Sequence, residues 1–398
     1  MELRDCAPAT VAVHAGERRP ERPFTPTVSP IYASNTFVAP DPEEMDAILG
    51  GSLEGYTYTR HHNPTVAAFE EAVALLEGAE AARAYASGMA ALAAALLGAG
   101  VAPGDRVLLS RDLYGATVSL VRDVFGRFGV EAVTADLTDP SAYEPLLERH
   151  RPRAVVAETL SNPLLRVVDV GALASAAHAH GAQLIVDNTF TTPLLCRPLE
   201  LGADLVVHSA TKYLGGHGDA TGGVVVGPRE RIRDLYARQK LLGDNLGPFE
   251  AWLLHRGLKT LPLRFQRQSA SAWRLAQELR DSGRFRRVVH PLLPDHPDAE
   301  RVRRLYPERL PGAVVSVDLG CDREGVFRFL RALHLVVPAT TVGDVYTLCL
   351  YPWIASHRSL PPEEREAMGV TEGLVRFAVG LEEPGDLLAD ILQAAEQI

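Results

Sequence analysis

The sequence predicts an α/β protein in which a mostly parallel sheet forms the centre of a large domain and a smaller C-terminal α+β domain follows. Short runs rich in valine and leucine alternate with alanine-rich stretches of helical spacing up to about residue 227. Such alternation is typical of a parallel sheet covered on both faces by helices. Beyond about residue 260, long amphipathic stretches surround short strands, which indicates the second domain. The predicted strands of the large sheet are 106–110, 154–157, 183–186, 205–207 and 224–226.

The first 62 residues carry many prolines and few periodic apolar runs, so they predict an irregular arm. Such a segment has little to bury within itself. We therefore expect it to lie across another surface, such as that of a partner subunit.

The first long helix has clear signals at both ends. Asn63 is a good N-cap, Pro64 suits the first helical position, and Gly78 suits the end. With this helix as the start of the large domain, we predict an N-terminal arm over 1–62, an α/β domain over 63–262, and a C-terminal α+β domain over 263–398.

Composition narrows the function classes. A net charge of −10 argues against a nucleic-acid partner, and no apolar stretch is long enough to span a membrane. The four cysteines lie far apart with no C-x-x-C pair, and the histidines have no metal-ligand spacing, so neither a disulfide framework nor a metal site is expected. Without a visible export signal, these features predict a cytoplasmic protein.

Three segments combine into a pattern suited to pyridoxal phosphate (PLP). Asp187 follows one predicted strand, and Ser209-Ala-Thr-Lys212 follows the next. Upstream, Ser87-Gly88 opens an alanine-rich helix whose N-terminal N–H groups favour a phosphate. A lysine among apolar strands can form a Schiff base, and a carboxylate at the neighbouring strand end can keep a pyridine nitrogen protonated. Lysine is rare here: the chain has only Lys212, Lys240 and Lys259.

Other interpretations of the same residues are weaker. Ser209-Ala-Thr-Lys212 also matches the S-x-x-K motif of penicillin-recognising hydrolases, but no S-D-N or K-T-G motif follows it. The glycines around Gly216 do not form the dinucleotide fingerprint. A non-catalytic binding module would be expected to have lost Lys212, Tyr114 or Arg376, and all are present.

Seven motifs in one order make the chain resemble the Cys/Met-metabolism PLP enzymes. That family includes methionine γ-lyase, cystathionine γ-lyase, cystathionine γ-synthase and O-acylhomoserine sulfhydrylase, and the resemblance extends from about residue 10 to 395. The motifs lie at Tyr56–Thr65, Ala86–Ala91, Leu113–Thr117, Glu158–Pro163, Asp187–Phe190, Val207–Lys212 and Gly373–Arg376. The resemblance implies the PLP-dependent transferase-like fold (fold type I) and a homotetramer built as a dimer of dimers.

The resemblance also implies roles for individual residues. Lys212 would hold PLP as a Schiff base and move protons, Asp187 would pair with the pyridine nitrogen, and Tyr114 would stack on the ring and act as acid and base. The other implied contacts are Gly88, Met89, Ser209 and Thr211 with the phosphate, Tyr58 and Arg60 with the phosphate of a neighbouring subunit, Asn162 with the ring oxygen or the substrate, and Arg376, Thr341 and Tyr58 with the substrate.

Fewer residues bear on the substrate. Relatives that handle cystathionine carry a glutamate where this chain has Thr340, and Lys240 matches a lysine of methionine γ-lyases. Ala116 and Thr341 replace the cysteine and serine usual in methionine γ-lyases, and 345–347 and 351–353 also depart from their pattern. We predict γ-elimination on L-methionine, giving methanethiol, 2-oxobutanoate and ammonia. Cystathionine γ-lyase, cystathionine γ-synthase, sulfhydrylase or β-lyase chemistry remain the alternatives.

Overall fold

The computed structural model describes residues 2–17, 25–307, 309–358 and 361–398. Within these ranges, no helix combines the length and the apolar character needed to cross a membrane. The strands are β1 Ala81–Tyr85, β2 Arg106–Ser110, β3 Glu131–Ala135, β4 Ala154–Glu158, β5 Gln183–Asp187, β6 Leu205–Ser209, β7 Gly223–Gly227, β8 Arg287–Val289, β9 Val314–Asp318, β10 Val337–Pro338, β11 Leu348–Leu350 and β12 Leu374–Ala378.

Helices precede, separate and follow these strands. The α-helices are α1 Pro8–His14, α2 Pro42–Gly50, α3 Pro64–Glu77, α4 Gly88–Gly98, α5 Gly115–Ser119, α6 Tyr143–His150, α7 Val170–Ala179, α8 Thr192–Leu195, α9 Arg229–Leu242, α10 Pro248–Leu258, α11 Leu261–Asp281, α12 Ala299–Leu305, α13 Arg323–Ala332, α14 Pro362–Ala367 and α15 Pro384–Ala395.

The large sheet has the order β1-β7-β6-β5-β4-β2-β3 in the described part of the chain. Only β7 runs antiparallel to its neighbours, so the predicted mostly parallel sheet is confirmed. All five predicted strands are present. The sequence pattern missed β1, in which Arg83 interrupts a run of alanines, and β3, an edge strand with no fully buried residue. Neither strand has the continuous apolar run that marks a buried parallel strand.

Apolar residues cover both faces of the large sheet. Leu108, Val155, Leu184 and Val206 pack into one cluster, with α3, α7 and α10 supplying further buried residues. On the other face, alternate strand residues pack with α4 and α9. Because both faces are buried, polar side chains in the sheet gather at strand ends.

The second sheet has the order β10-β11-β12-β9-β8, and it is antiparallel except for the β10–β11 pair. Helices α11, α13 and α15 bury their apolar stripes against this sheet, where Phe329 of α13 packs with Phe377 of β12. Its strand β12 carries Arg376 toward the large sheet, where the side chain reaches Asn162. The domain boundaries at 63 and 263 stay predictions.

The N-terminal arm is more regular than the sequence predicted. Helix α1 packs on α3 and α11 of its own chain, with Val11 and Ala12 buried. Helix α2 has Asp41 as its N-cap. The expectation of an irregular segment throughout 1–62 is therefore wrong, because the alanine- and valine-rich run after Pro8 has an apolar face to bury. Pro20 and Pro23 lie outside the described residues.

Candidate active site

Lys212 lies in the turn after β6, with its amine pointing toward the second sheet. The Lys212 N–H donates to the Ser209 carbonyl at 3.1 Å, and the Nζ donates to the Thr341 Oγ1 at 2.7 Å. Burial, followed by the nearby Arg376 charge, lowers the pKa of the Lys212 amine. A lowered pKa gives more of the neutral amine at a given pH, which is the nucleophilic form.

Asp187 ends β5, one strand from Lys212, as predicted. Its Oδ1 accepts the Thr189 N–H at 2.9 Å, and burial raises the pKa of its carboxyl. A cationic ring nitrogen beside this carboxylate would stabilise the charged form of both groups.

The N-terminus of α4 lies against the end of β6. Ser87 caps the helix by accepting the Ala90 N–H at 3.1 Å. The N–H groups of Gly88 and Met89 have no acceptor inside the helix, because they lie in its first turn. A Cβ at Gly88 would lie 2.8 Å from the Cβ of Ser209, so only glycine allows this approach. Thr211 also lies here, but its hydroxyl is already bonded to the backbone of Gly222.

Arg376 is buried and held by the residues predicted to accompany it. Its Nη1 donates to the Asn162 Oδ1 at 2.9 Å, and its Nη2 donates to the Thr341 carbonyl at 2.9 Å. Its Nε has no partner within the described structure. Burial lowers the pKa of the guanidinium to about 10, so it stays cationic near neutral pH. Since Thr341 also bonds Lys212, the predicted carboxylate-binding residue Arg376 and the predicted Schiff-base lysine Lys212 belong to one site.

Tyr114 lies at the beginning of α5 with its side chain 47% exposed. Its backbone N–H donates to the Glu158 Oε1 at 2.7 Å. The exposed ring and anchored backbone leave the phenol free to face a bound molecule.

Tyr58 and Arg60 do not contact Lys212 in the described part of the chain. Arg60 bonds the carbonyl of Lys240, and its guanidinium lies 5.4 Å from the centre of the Tyr58 ring. No contact found among the described residues joins either side chain to Lys212. Burial and the charges of Arg60 and Lys240 lower the pKa of the adjacent His61. Their predicted contact with a neighbouring subunit's phosphate stays a prediction.

A cavity of about 450 Å³ opens beside Thr211 and Thr341. Asp219, Glu250 and Asp344 contribute carboxylates to its lining.

Sequence reasoning assigned no role to Glu158, although it lies in one of the quoted motifs. It ends β4 and pairs in register with Asp187. The available signal was its position, because polar residues that follow adjacent parallel strands meet at one edge of the sheet.

Taken together, these residues fit PLP. A partly buried amine, a carboxylate one strand away, and a helix N-terminus that begins with glycine match the aldehyde, ring nitrogen and phosphate of that cofactor. The family model for Cys/Met metabolism PLP-dependent enzymes matches residues 9–396. The chain belongs to this family.

Relatives within the Cys/Met-metabolism family differ in reaction. The chain is 42% identical to an O-succinylhomoserine sulfhydrylase of Pseudomonas aeruginosa, with 98% of this chain and 95% of that protein covered. It is 41% identical to an L-methionine gamma-lyase of Pseudomonas putida, with 97% and 96% covered.

The cofactor and the fold of this PLP-dependent enzyme are supported by a solved structure from Campylobacter jejuni that carries N'-pyridoxyl-lysine-5'-monophosphate. That structure is 28% identical with a TM-score of 0.92, and the match covers 98% of this chain and 100% of that one. The predicted fold type I architecture and the PLP cofactor are thus confirmed.

Proposed function

We propose that this PLP-dependent enzyme catalyses γ-elimination on L-methionine, converting methionine and water to methanethiol, 2-oxobutanoate and ammonia. The observation that carries the proposal is the bridge through Thr341, whose hydroxyl bonds the Lys212 amine and whose carbonyl bonds the Arg376 fork. An amino acid whose carboxylate lies on Arg376 would have its Cα near Lys212.

The residues divide the work as follows. Arg376 binds the substrate carboxylate, and its fork suits bidentate contact. Lys212 removes the proton from Cα and returns protons during the reaction, while Tyr114 donates a proton to the leaving sulfur. Asp187 stabilises positive charge on the ring nitrogen. When bound, PLP supplies an electron sink for the bonds that break at Cα and Cβ.

The side chain of methionine carries no charge, and the uncharged Thr340 is compatible with such a substrate. Thr340 is exposed next to Thr341 and carries no charge that could bind a second amino-acid head. A distal ammonium, as in cystathionine, would gain no ion pair from this position.

A second candidate is sulfhydrylation, in which a thiol displaces succinate from Cγ of O-succinylhomoserine, so that a Cγ–S bond replaces the Cγ–O bond. It is favoured by the 42% identity to a sulfhydrylase, which is as high as the identity to methionine γ-lyase relatives. Both reactions use the Lys212 amine and the Arg376 guanidinium that binds the substrate carboxylate. They differ in whether a thiol enters or leaves at Cγ.

Substitution of Thr340 tests the assignment of methionine. We expect T340E to raise kcat/KM for cystathionine relative to methionine by about 3- to 10-fold, because an ion pair with partial exposure contributes on the order of 1 kcal/mol. The measurement is 2-oxobutanoate release from each substrate, with T340S as the control that adds no charge. Wild-type preference for cystathionine would contradict the proposal, and an unchanged substrate ratio in T340E would remove Thr340 from it.

A further inference from the structure

We infer that Glu158 is a positioning residue that works as a neutral acid, fixing the backbone of Tyr114 and leaving the negative charge of the Glu158–Asp187 pair on Asp187. The inference rests on the proposed function only for the choice of substrate. It concerns a side chain to which the sequence assigned no role.

The position of Glu158 follows from strand register. Glu158 is the last residue of β4 and pairs with Asp187, the last residue of β5. Paired residues on adjacent strands point to the same face of a sheet, so both carboxyl groups extend toward the same site.

The two oxygens of Glu158 have different surroundings. Oε1 accepts the Tyr114 N–H at 2.7 Å. Oε2 is buried from solvent and has no hydrogen-bond partner in the part of the chain that the structure describes. An unpartnered oxygen tolerates burial far better on a neutral acid than on a carboxylate.

The neighbouring carboxyl groups of Asp187 and Asp112 also favour the neutral form of Glu158. Burial, then the charge of Asp187 and that of Asp112, raise the pKa of the Glu158 carboxyl well above its ordinary range, against the opposing effect of the Tyr114 N–H. Asp112 is buried too, and one of its oxygens also lacks a partner in the described structure. Two charged carboxylates at this edge would repel, so one proton is retained.

The contact with Tyr114 connects Glu158 to catalysis. Tyr114 is followed by Gly115, where a Cβ would lie 3.0 Å from the Ser356 carbonyl, so the loop is packed against the C-terminal part of the chain. Glu158 holds the same loop from the sheet side. Without the Glu158 Oε1, the Tyr114 N–H has no acceptor, and the backbone that positions the Tyr114 phenol is no longer held in place.

The test uses two substitutions of the holoenzyme. E158Q keeps an oxygen for the Tyr114 N–H and stays neutral at every pH, so we expect kcat within about threefold of wild type and an unchanged pH profile. E158A removes the acceptor, and we expect kcat to fall about 10- to 100-fold with a smaller change in KM, since a displaced acid–base group costs mainly the chemical step.

Glu131 provides the matched control, because it is exposed at the start of β3 and pairs only with exposed Arg106 among the described residues. E131Q and E131A are expected to leave both constants unchanged. Cofactor occupancy and the far-ultraviolet circular dichroism spectrum of each variant show whether the site is intact.

Two results would overturn the inference. If E158Q loses as much activity as E158A at equal cofactor occupancy, Glu158 acts as a charged group. If E158A turns over like wild type, the contact positions nothing. The absorbance of bound PLP as a function of pH gives a readout without substrate, and we expect it to be the same in E158Q and wild type. That readout tests Glu158 even if methionine proves to be a poor substrate.

Discussion

Replacing Lys212 with alanine is expected to lower kcat by at least about 10³-fold, because the residue serves as covalent anchor and as the base at Cα, and proton transfer alone contributes 10²–10⁴-fold. The Lys212 amine is partly buried and donates to the Thr341 hydroxyl. The measurement is 2-oxobutanoate release by K212A under saturating PLP.

Lys259 offers the control for this substitution, since its amine forms an ion pair with Glu17, whereas the Lys212 amine donates to Thr341. K259A should keep most of the activity. If K212A retained a tenth of the wild-type rate, the assignment of Lys212 as anchor and base would be wrong.

Replacing Arg376 with lysine is expected to lower kcat/KM for methionine by about 30- to 150-fold, because the charge stays while the planar guanidinium is lost and a buried charged contact contributes on the order of 2–3 kcal/mol. Arg376 donates to Asn162 and to the Thr341 carbonyl at the same time, and one ammonium cannot reproduce that geometry. Most of the loss should appear in KM.

The control for R376K is R274K, on the exposed face of α11 where Arg274 pairs with Glu278. Thermal unfolding of both variants separates loss of binding from loss of folding. An unchanged KM in R376K would show that the substrate carboxylate binds elsewhere.

Much of the fold could be predicted from local patterns. Asn63 and Gly78 bound α3 as their types require, and the short apolar runs within 154–157 and 183–186 are strands buried on both faces. These elements were predictable because each carries its own signal in the sequence. Strand β1 has no such signal, and its pairing with β7, far along the chain, decides its conformation.

The candidate site was predictable in parts. Lys212 and Asp187 follow adjacent strands, and parallel topology brings such residues together. The role of Glu158 could not be predicted, because it depends on which oxygen is left without a partner after folding. The predicted contact of Tyr58 and Arg60 with the phosphate of a neighbouring subunit stays a prediction, because neither local pattern nor the fold of one chain determines a contact between two chains.

The measurement that tests the proposed function most directly is product analysis of the PLP-loaded wild-type enzyme with L-methionine, run beside O-succinylhomoserine plus methanethiol. We expect methanethiol and 2-oxobutanoate in equal amounts from methionine, with slower formation of a thioether from the second mixture. No 2-oxobutanoate from methionine, together with rapid thioether formation from O-succinylhomoserine, would contradict γ-elimination and assign the same residues to sulfhydrylation.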